Sequence, residues 1–338
     1  MKETLSSISE RTGFSITTVS RVLSGQSAKY RISAKTRDMI LEEAKRCDYS
    51  PNIIAQNLRT NKTNTIGVLM PSVANPYFAE MASVIIAEAN TRKYTTIVID
   101  AQENEANQQI NIYTLISRKV DGIIAAPCGN DSRIFEEVNR TNIPIVLIDR
   151  FFEGTGFSYV TTNNYQGGLE GTAMLIRNGH KNIACIQGAI TSAPNRKRVA
   201  GYRAALKDAG LEDKELIVGD EFSLQNGYLE TKLLLGRKPR PSAIFALSNT
   251  IGLGAIKAIR EAGLTIPGDI SLVSFDNNIY LDYLTPPVTR VSQPVEEMAK
   301  LATKMLFESI DSKTRASIQL ELSPTLIARD SVRNINEG

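Results

Sequence analysis

From Thr65 onward, short β-rich apolar runs alternate with stretches of helical periodicity, and this alternation restricts the fold more than any other feature of the chain. The runs fall at 66–70, 95–100, 122–126 and 143–149, and again at 183–187, 217–219, 243–247 and 271–275. Strands separated by helices in this way build parallel sheets from βαβ units. A run as continuously apolar as IPIVLID, residues 143–149, predicts a sheet covered on both faces. Two sets of runs predict two lobes of similar build with a break near 161–164, and a ligand would sit between them at the carboxyl ends of the strands.

The N-terminal segment has a different grammar. Leu5, Ile8, Phe14, Val19 and Val22 recur at helical spacing around a turn at Thr12-Gly13, which predicts two short helices. Ser15 is placed to cap the second, whose exposed face carries Ile16, Thr17 and Ser20 or Arg21 while Val19, Val22 and Leu23 face inward. A third helix is expected from Ser33, with Ile40, Leu41 and Ala44 as its buried stripe. Two helices about a glycine turn equally describe a small helical domain with no ligand. Charge adds a second signal. Residues 1–62 hold 11 Lys and Arg against 6 Asp and Glu, and the rest hold 28 against 30, so the positive excess of the chain is concentrated at its N-terminus. That is a modest footprint for phosphate, one that many solvated helices also show.

Between these regions lies Ser-Pro-Asn-Ile-Ile-Ala-Gln-Asn-Leu, residues 50–58. Ser50 can cap and Pro51 suits the first helical position, yet so short a helix is unstable alone and should fold only on a partner. The helix-turn-helix pattern upstream points to DNA as that partner. Leu58 would wedge into a base step, and small Ala55 would permit close approach to the groove. An ordinary interdomain linker is the alternative.

The 338 residues, 42% of them hydrophobic, suffice for two to three domains with real cores. Cys47, Cys128 and Cys185 are odd in number and far apart, which implies neither a disulfide framework nor a metal knuckle and fits a reducing cytoplasm. The start of the chain lacks an apolar secretory core, and no apolar run approaches membrane-spanning length, so a soluble intracellular protein is expected. Catalysis is not expected. The single histidine, His180, follows a predicted helix where a cation would meet the negative helix end, and it reads as a cap. Gly167-Gly168 is a lone pair without a phosphate-binding Lys, and no carboxylate-histidine cluster has metal-ligand spacing. Neither cofactor nor metal is called for.

The runs TGFSITTVSRVLSG, RISAKTRDMILEEAKRCDYSPNIIAQNLR and NTIGVLMPSVANPYFAE, followed in order by HKNIACIQG, RKRVAGYRAAL, IPGDISLVSFDN and TPPVTRVSQP, resemble the lactose-repressor (LacI/GalR) family of bacterial transcription regulators over nearly the whole chain. The resemblance implies a small all-α helix-turn-helix domain followed by an α/β, two-lobed, periplasmic-binding-protein-like core of parallel sheets. It divides the chain into a headpiece at 1–49, a hinge helix and linker at 50–62, and an effector-binding core at 63–338. The family's three crossings between lobes place the first lobe at about 63–162 and 293–323, and the second at about 163–292 and 324–338. The loop 26–31 is longer than in the family's best-known members.

On that scaffold Ser15, Ile16 and Thr17 open the recognition helix toward base edges, where Ile16 favours a thymine methyl. Arg21 would pair with guanine or hold phosphate, and a plain surface arginine is the alternative. Thr4, Ser20 and Asn52 are backbone-positioning donors, and Ala55 and Leu58 enter the minor groove from each subunit of a homodimer. Two-fold symmetry asks for a near-palindromic double-stranded operator. The tail SVRNINEG has no leucine heptad, so a dimer without a helical tetramerisation appendage is expected.

In the core, Tyr77 and Phe78 follow the first strand and could stack on a small molecule or pack within their helix. Arg198 matches the family's ligand-binding arginine, Asp276 its acidic ligand residue and Phe222 an aromatic stacking position. Arg150 and Gln293 are further candidates, with interlobe salt bridging and crossover hydrogen bonding as structural alternatives. Ser248-Asn249 stands where the family often has Asn-Asp, and Asn163 replaces a common Asp. With Arg150, Arg196, Lys197 and Arg198 nearby, these changes raise the expectation that the effector, a sugar or sugar phosphate, is anionic. The competing class is a solute-binding protein of the same two-lobed fold without DNA regulation.

Overall fold

Side-chain hydroxyls start all three N-terminal helices of the computed structural model, which describes residues 3–49, 62–312 and 317–336. Thr4 and Ser7 form a reciprocal capping box on α1 (Leu5–Thr12), Ser15 caps α2 (Ile16–Leu23) and Ser33 caps α3 (Ala34–Arg46). Gly13 ends α1 with a φ of 72°, the left-handed turn that joins the first two helices. Ile8, Val19, Val22, Ile40 and Ala44 form the buried core, with Leu5, Phe14, Leu23, Ile32 and Tyr49 around it. One position departs from expectation: Leu41 is 44% exposed. At about 100° per residue it is turned off the line joining Ile40 and Ala44, which alone face the core. The hinge segment 50–58, with Asn52, Ala55 and Leu58, lies outside the described residues.

The chain separates into two compact units, residues 1–63 and 64–338. In the second, one sheet is built from β1 (Thr65–Met70), β2 (Thr95–Asp100), β3 (Gly122–Ala125), β4 (Ile145–Ile148) and β5 (Ser158–Thr162) together with β11 (Gln319–Leu322). Its order is β11-β5-β4-β3-β1-β2 and every pairing is parallel. The other contains β6 (Ile183–Ile186), β7 (Ile217–Val218), β8 (Ala243–Ala246), β9 (Ser271–Phe275), β10 (Thr289–Ser292) and β12 (Thr325–Ile327), in the order β12-β10-β9-β8-β6-β7. Only β12 runs antiparallel there.

Both sheets are buried on two faces, and the alternation of side chains shows it. Ile66, Val68 and Met70 of β1 join the core under α4 (Pro76–Thr91) and α11 (Val295–Ser312), whereas Leu69 joins the opposite core under α5 (Glu105–Ser117) and α6 (Arg133–Arg140). In the second sheet Leu272 enters the core beneath α9 (Leu224–Leu235) and α10 (Asn249–Glu261), and Val273 and Phe275 enter that beneath α7 (Asn164–Arg177) and α8 (Ala193–Asp208). The chain passes from one sheet to the other after β5, returns after β10 into α11, and passes again from β11 to β12. The carboxyl ends of the strands of both lobes therefore border one cleft.

Glycine sets how closely α7 and α8 approach. A Cβ at Gly168 would lie 2.1 Å from the carbonyl oxygen of Arg198, and one at Gly201 would lie 2.2 Å from that of Tyr165. Gly167 meets the Phe275 ring in the same way. The Gly167-Gly168 pair is thus a helix-packing device. His180 also differs from expectation. It is buried, with Nε2 facing the Arg333 carbonyl at 3.1 Å and Nδ1 facing Ser242 Oγ at 2.8 Å, and burial lowers its pKa. It is no cationic cap: the end of α7 is closed instead by Asn336 Nδ2 donating to the Arg177 carbonyl and Ile335 N donating to that of Asn178. Among the described residues no helix is long and apolar enough to cross a membrane.

Candidate functional site

Two aspartates mark the strand ends that face each other across the cleft. Asp149 follows β4 of one lobe and Asp276 follows β9 of the other, and both take left-handed backbone conformations, with φ of 62° and 74°. Such angles are uncommon for residues other than glycine and are tolerated best by Asn and Asp. Both carboxylates are buried and both are held. The Tyr77 hydroxyl donates to Asp149 Oδ1 at 2.7 Å, and Gln293 Nε2 donates to Asp276 Oδ1 at 2.6 Å. The backbone N–H of Asn249 donates to the other Asp276 oxygen at 3.0 Å. Gln293 Oε1 lies 3.2 Å from the Tyr77 hydroxyl, so this crossover residue links the aspartates of both lobes. Burial raises the Asp149 pKa, with the charges of Arg198 and Arg150 and the Tyr77 bond opposing it; burial and the charge of Asp149 hold the Tyr77 phenol neutral.

The close approach of α7 and α8 places Arg198 beneath this floor. Its Nε donates to Asn164 Oδ1 and one terminal nitrogen to the Leu247 carbonyl, each at 2.7 Å, and its guanidinium lies 3.7 Å above the Phe275 ring. Arg150 makes two 2.7 Å bonds to Glu103 of its own lobe, not a bridge between lobes. Its guanidinium lies 5.5 Å from the ring of Phe78 and 5.5 Å from that of Phe222, one aromatic from each lobe. Burial is the largest influence and opposes its charge, but the Glu103 and Asp149 carboxylates act together against it and its pKa is raised.

Tyr77, Phe78, Arg150, Arg198, Phe222, Asp276 and Gln293 thus line one cavity of about 30 Å³ between the lobes. That volume holds about two waters, so a larger guest must part the lobes or displace side chains. The sequence reading missed Asp149 itself, although IPIVLID ends at an acid as SLVSFD does. It also missed Asn75 and Ser192, and named Ser248 only as a departure from the family pattern; all three line the cavity at the N-termini of α4, α8 and α10. Their signal was a small polar residue between a strand and a helix. Ser192 Oγ is buried without a hydrogen-bond partner among the described residues.

The basic residues near the cleft do not leave it positive. Arg196 pairs with Glu153 at 2.6 Å and Lys197 pairs with Glu321, both across the lobes, and Arg150 is spent on Glu103. Arg198 remains against two carboxylates. Three of the four cations behind the expectation of an anionic effector, Arg150, Arg196 and Lys197, are thus paired with acids distant in sequence.

In the headpiece, Thr4 is exposed at the start of α1, and Ser15, Ile16 and Thr17 are exposed at the start of α2. Ser20 and Arg21 follow on α2 and are half-buried. Arg21 lies over the ring of Tyr30, 3.8 Å from its centroid. The remaining DNA-contact candidates, Asn52, Ala55 and Leu58, fall outside the described residues.

A capped helix-turn-helix unit ahead of a two-lobed core with a polar interlobe cavity defines a ligand-responsive DNA-binding regulator. Residues 4–52 match the model of bacterial regulatory proteins of the lacI family, and residues 172–332 match that of the periplasmic binding protein-like domain. The HTH-type transcriptional regulator DegA of Bacillus subtilis (strain 168) is 33% identical over 340 residues, covering 99% of this chain and 100% of that protein. The chain belongs to the LacI family of bacterial transcription regulators, which are not enzymes. The lac repressor dimer bound to operator and the anti-inducer ONPF superposes with a TM-score of 0.87 at 25% identity, covering 98% of this chain and 100% of that one. A LacI family transcriptional regulator from Enterococcus faecium with bound ribose gives 0.73 at 26% identity over 80% of this chain and 100% of that one.

Proposed function

We propose that this regulator represses transcription in the cytoplasm as a homodimer on a near-palindromic operator, and that its cleft takes a neutral sugar. The headpiece would be residues 1–49, with Thr4, Ser15, Ile16, Thr17, Ser20 and Arg21 on DNA. The hinge would be residues 50–62, with Asn52, Ala55 and Leu58 in the minor groove. In the core, Tyr77, Phe78, Arg150, Arg198, Phe222, Asp276 and Gln293 would hold the effector. The observation that carries the effector class is the pairing of Arg150 with Glu103, which leaves Arg198 alone against Asp149 and Asp276. Carboxylates accept hydrogen bonds from vicinal hydroxyls, whereas a phosphate beside them would cost Coulomb energy. The ribose held by the Enterococcus faecium regulator in a core of the same fold is consistent with this class.

Control follows from the geometry. Both lobes contribute to the cavity, so a bound sugar has different contacts in different lobe arrangements and shifts their populations by its affinity ratio for them. Lobe arrangement sets the spacing of the two hinges, and with it the number of dimers able to bend the operator. A thermal-stability screen of neutral pentoses and hexoses, their phosphate esters and nucleobases tests the assignment. A ligand at 100 times its Kd adds about 2.7 kcal/mol. A neutral sugar should stabilise the protein and change its affinity for operator DNA in a gel shift. Stabilisation by a phosphate ester and not by its parent sugar, or by a nucleobase alone, would overturn the effector class.

A further inference from the structure

Arg21 differs from three of the other arginines described in the headpiece in how its charge is used. Arg11, Arg37 and Arg46 of the headpiece each form a salt bridge with a carboxylate, to Glu3, Asp38 and Glu43 respectively. Arg21 meets no carboxylate among the described residues. Its guanidinium instead lies 3.8 Å from the centroid of the Tyr30 ring, a contact that covers one face of the planar ion and leaves its N–H donors unspent at the edges. Lys29 lies farther from the same ring, at 5.8 Å.

The ring is itself held. Tyr30 sits in the loop between α2 and α3. At the near end of that loop, Gln26 N donates to the carbonyl of Arg21 at 2.9 Å, and Tyr30 N donates to that of Gln26 at 3.2 Å. At the far end, Ile32 N donates to the Ser27 carbonyl at 2.9 Å and the Ile32 side chain packs against the headpiece core. The loop that carries Tyr30 is thus tied to the backbone of the arginine its ring supports. Tyr30 is 41% exposed and is not part of the headpiece core.

We infer that Tyr30 is a positioning residue for DNA reading, a platform that holds the Arg21 fork for a bidentate acceptor on a base edge and thereby sets one position of operator preference. This rests on the assignment of Arg21 to the DNA surface. A flexible arginine reaches phosphates in many orientations, whereas two parallel donors match the O6 and N7 acceptors of guanine only when the plane of the fork is held. Stacking supplies that restraint without consuming a donor.

The test is selection from a pool of synthetic DNA duplexes with a randomised core, using the full chain, followed by salt titrations on the best wild-type duplex. Wild type and Tyr30→Phe should enrich the same sequences. Tyr30→Leu and Arg21→Ala should lose preference at the same single base pair of each half-site. Tyr30→Leu should bind the best duplex roughly tenfold more weakly, the scale of one cation-aromatic contact, with an unchanged salt slope because no phosphate contact is removed. The double variant should bind no more weakly than Arg21→Ala.

If Tyr30→Leu keeps the wild-type base preference while Arg21→Ala loses it, the platform role fails and the DNA role of Arg21 stands. If Arg21→Ala also keeps it, the assignment of Arg21 to base reading fails and the inference with it. A loss spread over all positions in Tyr30→Leu, or a loss in Tyr30→Phe, would also overturn it, by showing a general structural role or a direct hydroxyl contact.

Discussion

Asn249 Nδ2 donates to Asn75 Oδ1 at 3.1 Å, and this bond joins the N-terminus of α10 in one lobe to that of α4 in the other. Asn249 is fully buried, and the same amide also donates to Asn278 Oδ1. Two cross-lobe ion pairs, Arg196 with Glu153 and Lys197 with Glu321, are partly exposed, and such pairs contribute about 0–1 kcal/mol. Magnitude therefore assigns the polar hold on the cleft to the buried bonds, those of Asn249 and the Tyr77–Gln293–Asp276 relay, rather than to the ion pairs.

Asn249→Ala should expose that hold directly. It leaves the Asn278 side-chain oxygen without its donor, a loss of about 1–3 kcal/mol, and breaks the bond to Asn75, whose oxygen keeps the Tyr77 N–H; because that cross-lobe bond exists only while the lobes are together, its loss falls on that arrangement. Effector affinity should drop roughly tenfold by calorimetry if the ligand prefers approximated lobes. Small-angle scattering should show a larger radius of gyration for the variant. Unchanged scattering and unchanged affinity would remove Asn249 from the lobe equilibrium.

Arg198 and Leu58 should divide the two binding functions. Arg198 bonds to Asn164 and to the Leu247 carbonyl beneath the cavity, and a buried charge-assisted bond contributes about 1.5–3 kcal/mol, so Arg198→Ala should weaken effector binding by roughly 10- to 100-fold. Operator affinity without effector should hold. Leu58→Ala should do the reverse, because a lost wedge removes the bend that brings protein and DNA together. Gel shift and calorimetry on both variants separate the effects. Equal loss of both functions in one folded variant would contradict the division.

The contrast between what could and could not be read from the chain is physical. Strands such as Ile183–Ile186 and Ser271–Phe275 were visible because full burial on both faces demands unbroken apolar runs. Ser158–Thr162, Thr289–Ser292 and Gln319–Leu322 carry alternating polar residues near the sheet margins and gave no such run. The seven cleft residues were legible from strand ends and motif positions. Their charge balance was not, since Glu103 precedes Arg150 by 47 residues and Glu321 follows Lys197 by 124. Pairings at such separations are a product of the fold.

Gly168→Ala should injure the site from outside it. The added methyl carbon would stand 2.1 Å from the Arg198 carbonyl oxygen, a backbone atom that moves only if α7 and α8 separate. Overpacking of this kind costs about 1–3 kcal/mol. Separation of the helices would also pull Arg198 away from Asn164, the second residue in its hydrogen-bonded fork. Chemical denaturation should show the stability loss, and calorimetry should show weaker effector binding in the folded variant. Wild-type values in both would mean the helices give without disturbing Arg198.

The histidine should give the second lobe a pH-dependent stability of definite sign. A carbonyl can only accept, so His180 donates from Nε2 to Arg333, and the neutral ring that burial favours accepts from Ser242 Oγ at Nδ1. Protonation would turn Nδ1 into a donor and push the Ser242 hydrogen toward the Asn182 carbonyl, 3.4 Å away. Burial already lowers the pKa from the ordinary 6.5, and the positive charge of Arg333 acts in the same direction. The unfolded chain therefore binds this proton more readily than the folded one. The stabilisation is complete above the unfolded value and is lost as pH falls through the depressed folded value. The Tm of the wild type should decline between neutral pH and pH 5 more steeply than that of His180→Gln, which has no proton to take up. Parallel Tm profiles for the two proteins would show that the ring is charged, or free to be charged, in the fold.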